Sequence, residues 1–436
     1  MSGNHGLKLT KIQSEKLQHV LKFALKESPF YKTKLASVNP ILHEVSSYTD
    51  FQKIPPTLAE EFKEKNSDFL TDLKYVWRVW CTTGTTGKPK ISYCGYDLRQ
   101  AYKKEYEFAL RQAGITSYQG LTAGIFYPFT GLAGAAVCTA KGMEELGIPV
   151  VAFGIDAQPS FADMIMRDVP VNLLFVFPST FLTFTDGLKK LNPNFAKMNQ
   201  VKAIYSCGES LTKNMRHYFE SAWQAPCFDM VGGVDIANFT GAECHQHNGF
   251  HLFTDMFLFE VYNQEKKTFS LEGKGELILT CFENQAMPLI RYFTRDQVEI
   301  SYEKCSCGLD TPRMWFRQRL DDRVILTGAI KFYVSEHINE VLEKHPEVTS
   351  AYQVIISNDG IDHIDLSVEA DDKYVGDRKL EKLISEDIIS YSPDFLEAVH
   401  QDKSLAMPSV NIVNIGTLER FRGKVKNRLL DTRINN

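Results

Sequence analysis

Basic residues are in slight deficit. The chain has 49 lysines and arginines against 54 aspartates and glutamates, for a formal net charge of −5. That balance supplies no positive field for a phosphate backbone, so nucleic acid is not an expected partner. Long apolar runs are missing too. The most apolar stretch, residues 171–184, is short and broken by Pro178, so nothing reaches membrane-spanning length. The first 18 residues lack the apolar centre of a signal peptide. A soluble, cytoplasmic protein with no membrane partner is expected. A disulfide scaffold is also unexpected, because nine cysteines is an odd number spread over 436 residues. No internal repeat or low-complexity segment occurs. A composition of 44% hydrophobic and 24% charged residues argues against disorder, and the length suits two or three domains.

What the chain does have is Cys81-Thr82-Thr83-Gly84-Thr85-Thr86-Gly87-Lys88-Pro89-Lys90. Glycines let backbone N–H groups converge on an anion, threonine hydroxyls add donors, and lysines add charge. Such a loop suits a polyphosphate. It is not a Walker A loop, because two residues separate Gly84 from Gly87 and a proline follows Lys88. A flexible Gly/Thr turn between two strands is the competing reading.

The periodicity predicts a helix over 8–27, ended by Ser28-Pro29-Phe30-Tyr31. Strands are expected at 76–81 and 90–93, on either side of the Gly/Thr loop. Further strands (120–126, 150–153, 172–177, 203–206, 227–230) alternate with helical stretches at 97–114 and 131–146. Strands alternating with helices indicate a parallel sheet with crossovers, whose ligands sit beyond the carboxyl ends of the strands. After about residue 250 the strands come in pairs, 257–262 with 268–272 and 275–281 with 288–294, which predicts an antiparallel region. A small α+β unit follows, with elements at 324–326, 335–344, 349–357 and 363–369. The expected class is α/β: a large domain over 1–318 and a small, mobile α+β domain over 319–436.

Thr82 to Lys90 resembles the phosphate loop of the adenylate-forming (acyl-CoA synthetase) superfamily, and later segments resemble that family's motifs in order. Tyr127-Pro128-Phe129-Thr130-Gly131-Leu132-Ala133-Gly134 is similar to the turn beside the acyl pocket. Cys207-Gly208-Glu209-Ser210 is similar to a turn against the adenine. Pro288 to Asp296 resembles the Ile-Arg-Tyr-x-Thr-x-Asp segment. Arg319-Leu320-Asp321-Asp322 resembles the hinge, and Gly328 to Val334 the loop that enters after the hinge turns. Arg420 to Arg428 resembles the Gly-Lys loop. The short length and a cysteine-bearing insert point to the phenylacetate–CoA ligase and coenzyme F390 synthetase branch.

The resemblance implies roles. Thr82, Thr83, Gly84, Thr85, Thr86, Gly87 and Lys88 would hold ATP phosphates, with Gly208 and Glu209 at the adenine. Asp296 and Arg319 would hold ribose, Asp321 would be the hinge, and Lys424 would catalyse adenylation. Tyr127, Phe129, Gly131, Ala135 and Phe181 would line an apolar acid pocket. One segment departs from the pattern. Where the family has Tyr-Gly-x-Thr-Glu, this chain has Val231-Gly232-Gly233-Val234-Asp235. The aromatic that stacks on adenine is gone, and Asp235 replaces the magnesium-holding glutamate with a shorter carboxylate.

Cysteine and histidine are the natural zinc ligands. The resemblance brings Cys244, His251, Cys305 and Cys307 around one structural ion, with His247 or His245 as alternatives to His251; free cysteines with surface histidines are the competing reading. The implied function is an ATP-dependent carboxylate–CoA ligase using Mg²⁺, with a structural Zn²⁺. Expected partners are a small carboxylic acid, ATP and CoA, and a homodimer stays open. Two alternatives remain: transfer of the acyl group to a carrier protein or an amine, and a catalytically silent nucleotide-binding relative.

Overall fold

Thr10 starts the first helix with a reciprocal cap. Its hydroxyl accepts from Gln13 N at 3.1 Å, and Gln13 Oε1 accepts from Thr10 N at 3.0 Å. Leu17, Val20, Leu21 and Ala24 form the buried stripe of this helix, Lys11–Glu27, and Pro29 opens a second one, Pro29–Lys34. The structure, a computed structural model, describes residues 9–36, 45, 47–81, 90–129, 134–196, 200–236, 238–319, 323–421, 424–425 and 428–435. It is mixed α/β, and the described residues divide into two compact units.

The first unit comprises 1–120, 129–150 and 230–317. Its hairpin pairs Val76–Cys81 with Ile91–Gly95, opposing Cys81 to Ile91. Helices Tyr96–Gln112 and Ala135–Glu145 pack tightly: a Cβ at Gly142 would lie 2.3 Å from the Tyr106 ring. The antiparallel region follows the expected pairing. Phe257–Asn263 lies between Thr268–Ser270 and Gly273–Cys281, and the latter pairs with Tyr292–Ser301. Here the structure corrects the expected strand at 288–294, which begins only at Tyr292. The reason is Arg291. It sits in the left-handed region at φ 47 with its side chain fully buried. It makes a two-pronged ion pair with Glu260 at 3.0 and 3.1 Å and donates to the carbonyls of Gln52 and Ile54. The backbone turns to deliver that guanidinium to the core.

The second unit comprises 121–128, 151–229 and 318–436. Ala123–Ile125, Leu173–Val176 and Ala203–Cys207 run parallel. Helices Pro159–Asp168, Pro178–Leu191 and Lys213–Trp223 supply an aromatic core with Phe181, Phe219 and Trp223. Residues from 323 onward build an α+β module with its own apolar core, which includes Phe332, Ile338, Tyr352, Ile384 and Phe395. Its opening hairpin, Arg323–Leu326 with Ile330–Tyr333, turns at Gly328, whose φ of 81 favours glycine. Asp362–Ala370 is central there, antiparallel to Val348–Asn358 and parallel to Ser409–Asn414. Among the described residues no helix is long and apolar enough to cross a membrane.

Candidate active site and metal centre

Three segments far apart in the chain meet at Asp235. Tyr292, first residue of its strand, donates its hydroxyl to Asp235 Oδ2 at 2.8 Å. Lys90, where the chain leaves the Gly/Thr loop, donates to the Tyr292 hydroxyl at 3.1 Å and lies 3.6 Å from the same carboxylate oxygen. Ser92 Oγ donates to the Asp235 carbonyl at 3.2 Å. Lys90 and Asp235 side chains are each 20% exposed, so the pair is sheltered but open to small ligands. Gly233 leaves room for the carboxylate, because a Cβ there would stand 2.6 Å from Asp235 Oδ1. An ionised carboxylate offers about four lone-pair sites, so Tyr292 and Lys90 leave acceptor capacity for a cation.

The other expected nucleotide residues divide. Thr82, Thr83, Gly84, Thr85, Thr86, Gly87 and Lys88 lie outside the described residues, as do Gly131 and Asp321. Arg319 and Lys424 are fixed only in strand position, in Arg313–Arg319 and Lys424–Val425. Asp296 is half-buried in Tyr292–Ser301, its N–H donating to Thr294 Oγ1 at 3.2 Å. Near it lies Glu276, which the sequence did not single out. Burial pushes the Glu276 carboxyl up to about 7, against the lowering pull of Arg295, and Asp296 adds to the rise.

In the second unit, Gly208 and Glu209 follow the carboxyl end of Ala203–Cys207. Glu209 accepts from Ser179 N and Ser179 Oγ, both at 3.0 Å, at the start of helix Pro178–Leu191. A carboxylate at a helix N-terminus is favoured by the unpaired N–H groups there. Gly208 turns with φ 79, as the close turn requires.

Tyr127 is fully buried, its ring 4.8 Å from that of Phe177. Phe181 is equally buried, but it stacks on Trp223 at 5.3 Å within the helix-side core. In the first unit, Phe129 and Ala135 are half-buried. Trp80, which carries no site signal in sequence, lies against Gly134: a Cβ there would be 2.9 Å from its indole.

The sulfur and imidazole set converges. The ligand atoms of Cys244, His251, Cys305 and Cys307 all lie within 4.8 Å of one another. Cys244 Sγ is 3.9 Å from Cys305 Sγ, and Cys307 Sγ is 3.4 Å from His251 Nε2. Thiolates at about 2.3 Å on a tetrahedral zinc stand roughly 3.8 Å apart, so the donor set fits that ion. Three sulfurs and one imidazole favour zinc over a hard cation. His251 Nδ1 meets Thr311 Oγ1 at 2.8 Å, which orients the ring and leaves Nε2 for the cluster. Burial, with Arg313 nearby, pushes His251 down to about 4, so the imidazole is neutral at pH 7. His247 instead faces Glu243 at 3.4 Å, and His245 is exposed. Thr311 and Arg313 carry no metal-site signal in sequence; only the fold brings them in.

The parallel strands and the mixed α/β architecture fit the fold of the adenylate-forming enzymes that the motifs resemble. Residues 332–433 match the AMP-binding enzyme C-terminal domain. The curated relatives that the chain resembles are phenylacetate-coenzyme A ligases. That of Thermus thermophilus is 26% identical, aligned over 98% of this chain and 97% of its own length. That of Escherichia coli is 25% identical over 83% of this chain and 82% of its own. In fold, the chain matches 2-hydroxyisobutyryl-CoA ligase in the postadenylation state with a TM-score of 0.80, covering 97% of this chain and 89% of that one at 17% identity. An acyl acid amido synthetase matches with a TM-score of 0.66, covering 93% and 87% at 15% identity.

Proposed function

We propose that this chain is an ATP-dependent carboxylate–CoA ligase that works through an acyl-adenylate. The observation that carries this reading is the meeting of the loop exit, the turn after Cys227–Gly233 and the Ile-Arg-Tyr segment at the Asp235 carboxylate. Near full-length similarity to phenylacetate-coenzyme A ligases supports the same chemistry.

In this reading the substrate carboxylate attacks the α-phosphorus of ATP and pyrophosphate leaves. The CoA thiol then attacks the acyl carbon and AMP leaves. Thr82, Thr83, Thr85, Thr86 and Lys88 hold phosphates through hydroxyl, backbone and ammonium donors. Asp296 and Arg319 hold the ribose, and Gly208 and Glu209 flank the adenine. Lys424 places a compact positive charge where negative charge builds in the first step. Residues 319–436 are the small domain, which turns at Asp321 between the two steps. Tyr127, Phe129, Gly131 and Ala135 line the acid pocket, and the acid is apolar or aromatic.

Magnesium, when bound with ATP, would offset phosphate charge, and Asp235 would hold it. Zinc, held by Cys244, His251, Cys305 and Cys307, is structural, because four protein ligands leave no open position.

Incubation with ATP, CoA and a panel of aryl and aliphatic acids tests the reading. It should yield AMP and one or more acyl-CoA thioesters; no thioester from any acid, with AMP and an acyl-amide formed once amino acids are added as amine acceptors, would move the chain to amide-forming chemistry.

A further inference from the structure

Arg420 lies in the short strand Arg420–Phe421, which pairs antiparallel with Lys424–Val425 and sets Phe421 opposite Lys424. Its guanidinium makes a two-pronged contact with Glu369, at 2.9 Å to Oε1 and 2.6 Å to Oε2. The same Oε1 accepts from Leu418 N at 2.9 Å. Glu369 is fully buried and sits in the central strand of the C-terminal module, Asp362–Ala370. On the other side of Lys424, Arg428 lies over the Tyr352 ring at 3.9 Å and donates to Asn339 Oδ1 at 3.1 Å and Ser350 O at 3.3 Å. Lys424 is thus four residues from each of two anchored arginines.

A buried ion pair is weak evidence for stability, because removing both charges from water costs about as much as their attraction returns. What a forked guanidinium–carboxylate pair supplies is direction, since its two parallel bonds fix orientation as well as distance. Here that direction is imparted to the strand beside Lys424.

We propose that Glu369 is a positioning residue for Lys424: through Arg420 it fixes the strand pair that carries the lysine, and it thereby serves the adenylation step and not the thioester step. This rests on the function proposed above. A lysine on a flexible stem acts only where its strand presents it, and a small displacement there costs rate.

The test uses the full chain, with Glu369→Gln, which keeps the shape and removes the charge. Adenylation of an accepted acid should fall about tenfold or more, while conversion of chemically made acyl-adenylate and CoA to thioester stays within about twofold. Hydrogen exchange in peptides containing Lys424 should rise in the same variant. Arg420→Lys, which keeps the charge and loses the fork, should show the same split to a lesser degree, and it carries the comparison if Glu369→Gln does not fold. Equal loss in both steps would make the pair merely structural and overturn the proposal, as would unchanged adenylation or unchanged exchange. If wild type adenylates no acid, the function reading fails, and the exchange measurement alone decides whether Glu369 holds the lysine-bearing strand.

Discussion

The Tyr292 hydroxyl donates to Asp235 Oδ2 at 2.8 Å across 57 positions of sequence. The bond joins the one carboxylate in the altered Val231–Asp235 segment to the segment that also carries Asp296. Lys90, 3.6 Å from the same oxygen, completes a lysine–tyrosine–carboxylate chain. If Asp235 works in adenylation, its orientation is set by these two partners.

Tyr292→Phe tests that orientation. It removes one hydrogen bond to a charged acceptor, which is worth about 1.5–3 kcal/mol. Adenylation should fall roughly tenfold, with a higher magnesium requirement, as read from pyrophosphate release over a magnesium titration. Asp235→Asn should cost more, on the order of a hundredfold. Gly233→Ala should also lower the rate, because its new methyl group would meet Asp235 Oδ1 at 2.6 Å. Normal turnover in Asp235→Asn would remove Asp235 from its proposed magnesium role.

The metal centre predicts one zinc per chain by elemental analysis. Cys305→Ser should release the ion and lower the melting temperature, since metal binding and folding are coupled. His247→Ala should leave both unchanged, because His247 faces Glu243 rather than the sulfur cluster. Protein without zinc, or with unchanged melting in Cys305→Ser, would return these residues to ordinary packing.

Glu276 gives a pH dependence with a definite sign. Its carboxyl is raised in the folded chain to about 7 from the ordinary carboxylate value of 4.5, chiefly by burial. Between those values the folded state holds a proton that the unfolded state has lost. This group therefore favours folding most at low pH, and its contribution declines as pH rises from about 4.5 through 7. Glu276→Gln should melt higher than wild type at pH 8, by a few degrees, and close to wild type at pH 5. Thermal melts at both values check it; an equal difference at both would contradict the assignment.

Much of the architecture is legible in the sequence, because local patterns determine it. The strand Val76–Cys81 is bounded as the sequence predicts, and the antiparallel pairing after residue 250 follows from alternation and turns. What local pattern cannot supply is partnership at a distance. Arg291 reads as a strand residue until Glu260, 31 positions away, draws it into the core. Phe181 reads as pocket lining, and its stacking on Trp223 is a contact that only the fold reveals. The Cys-x-Cys pair is visible in sequence, whereas the choice of His251 over His247 depends on strand pairing. Arg420 opens the segment that resembles the Gly-Lys loop, but its pairing with Glu369, 51 positions away, carries no sequence signal.

Lys424→Ala separates the two half-reactions. Acyl-adenylate formation from ATP and acid should be lost, while thioester formation from preformed adenylate and CoA should stay near the wild-type rate. Equal loss in both would remove Lys424 from its proposed role.

The most direct measurement is a staged reaction with wild type. Enzyme, magnesium-ATP and an acid of the panel are mixed without CoA, and the products are identified by mass; CoA is then added. The account predicts acyl-AMP and pyrophosphate in the first stage, and acyl-CoA with AMP in the second. Release of no pyrophosphate with any aryl or aliphatic acid, with or without CoA, would contradict it.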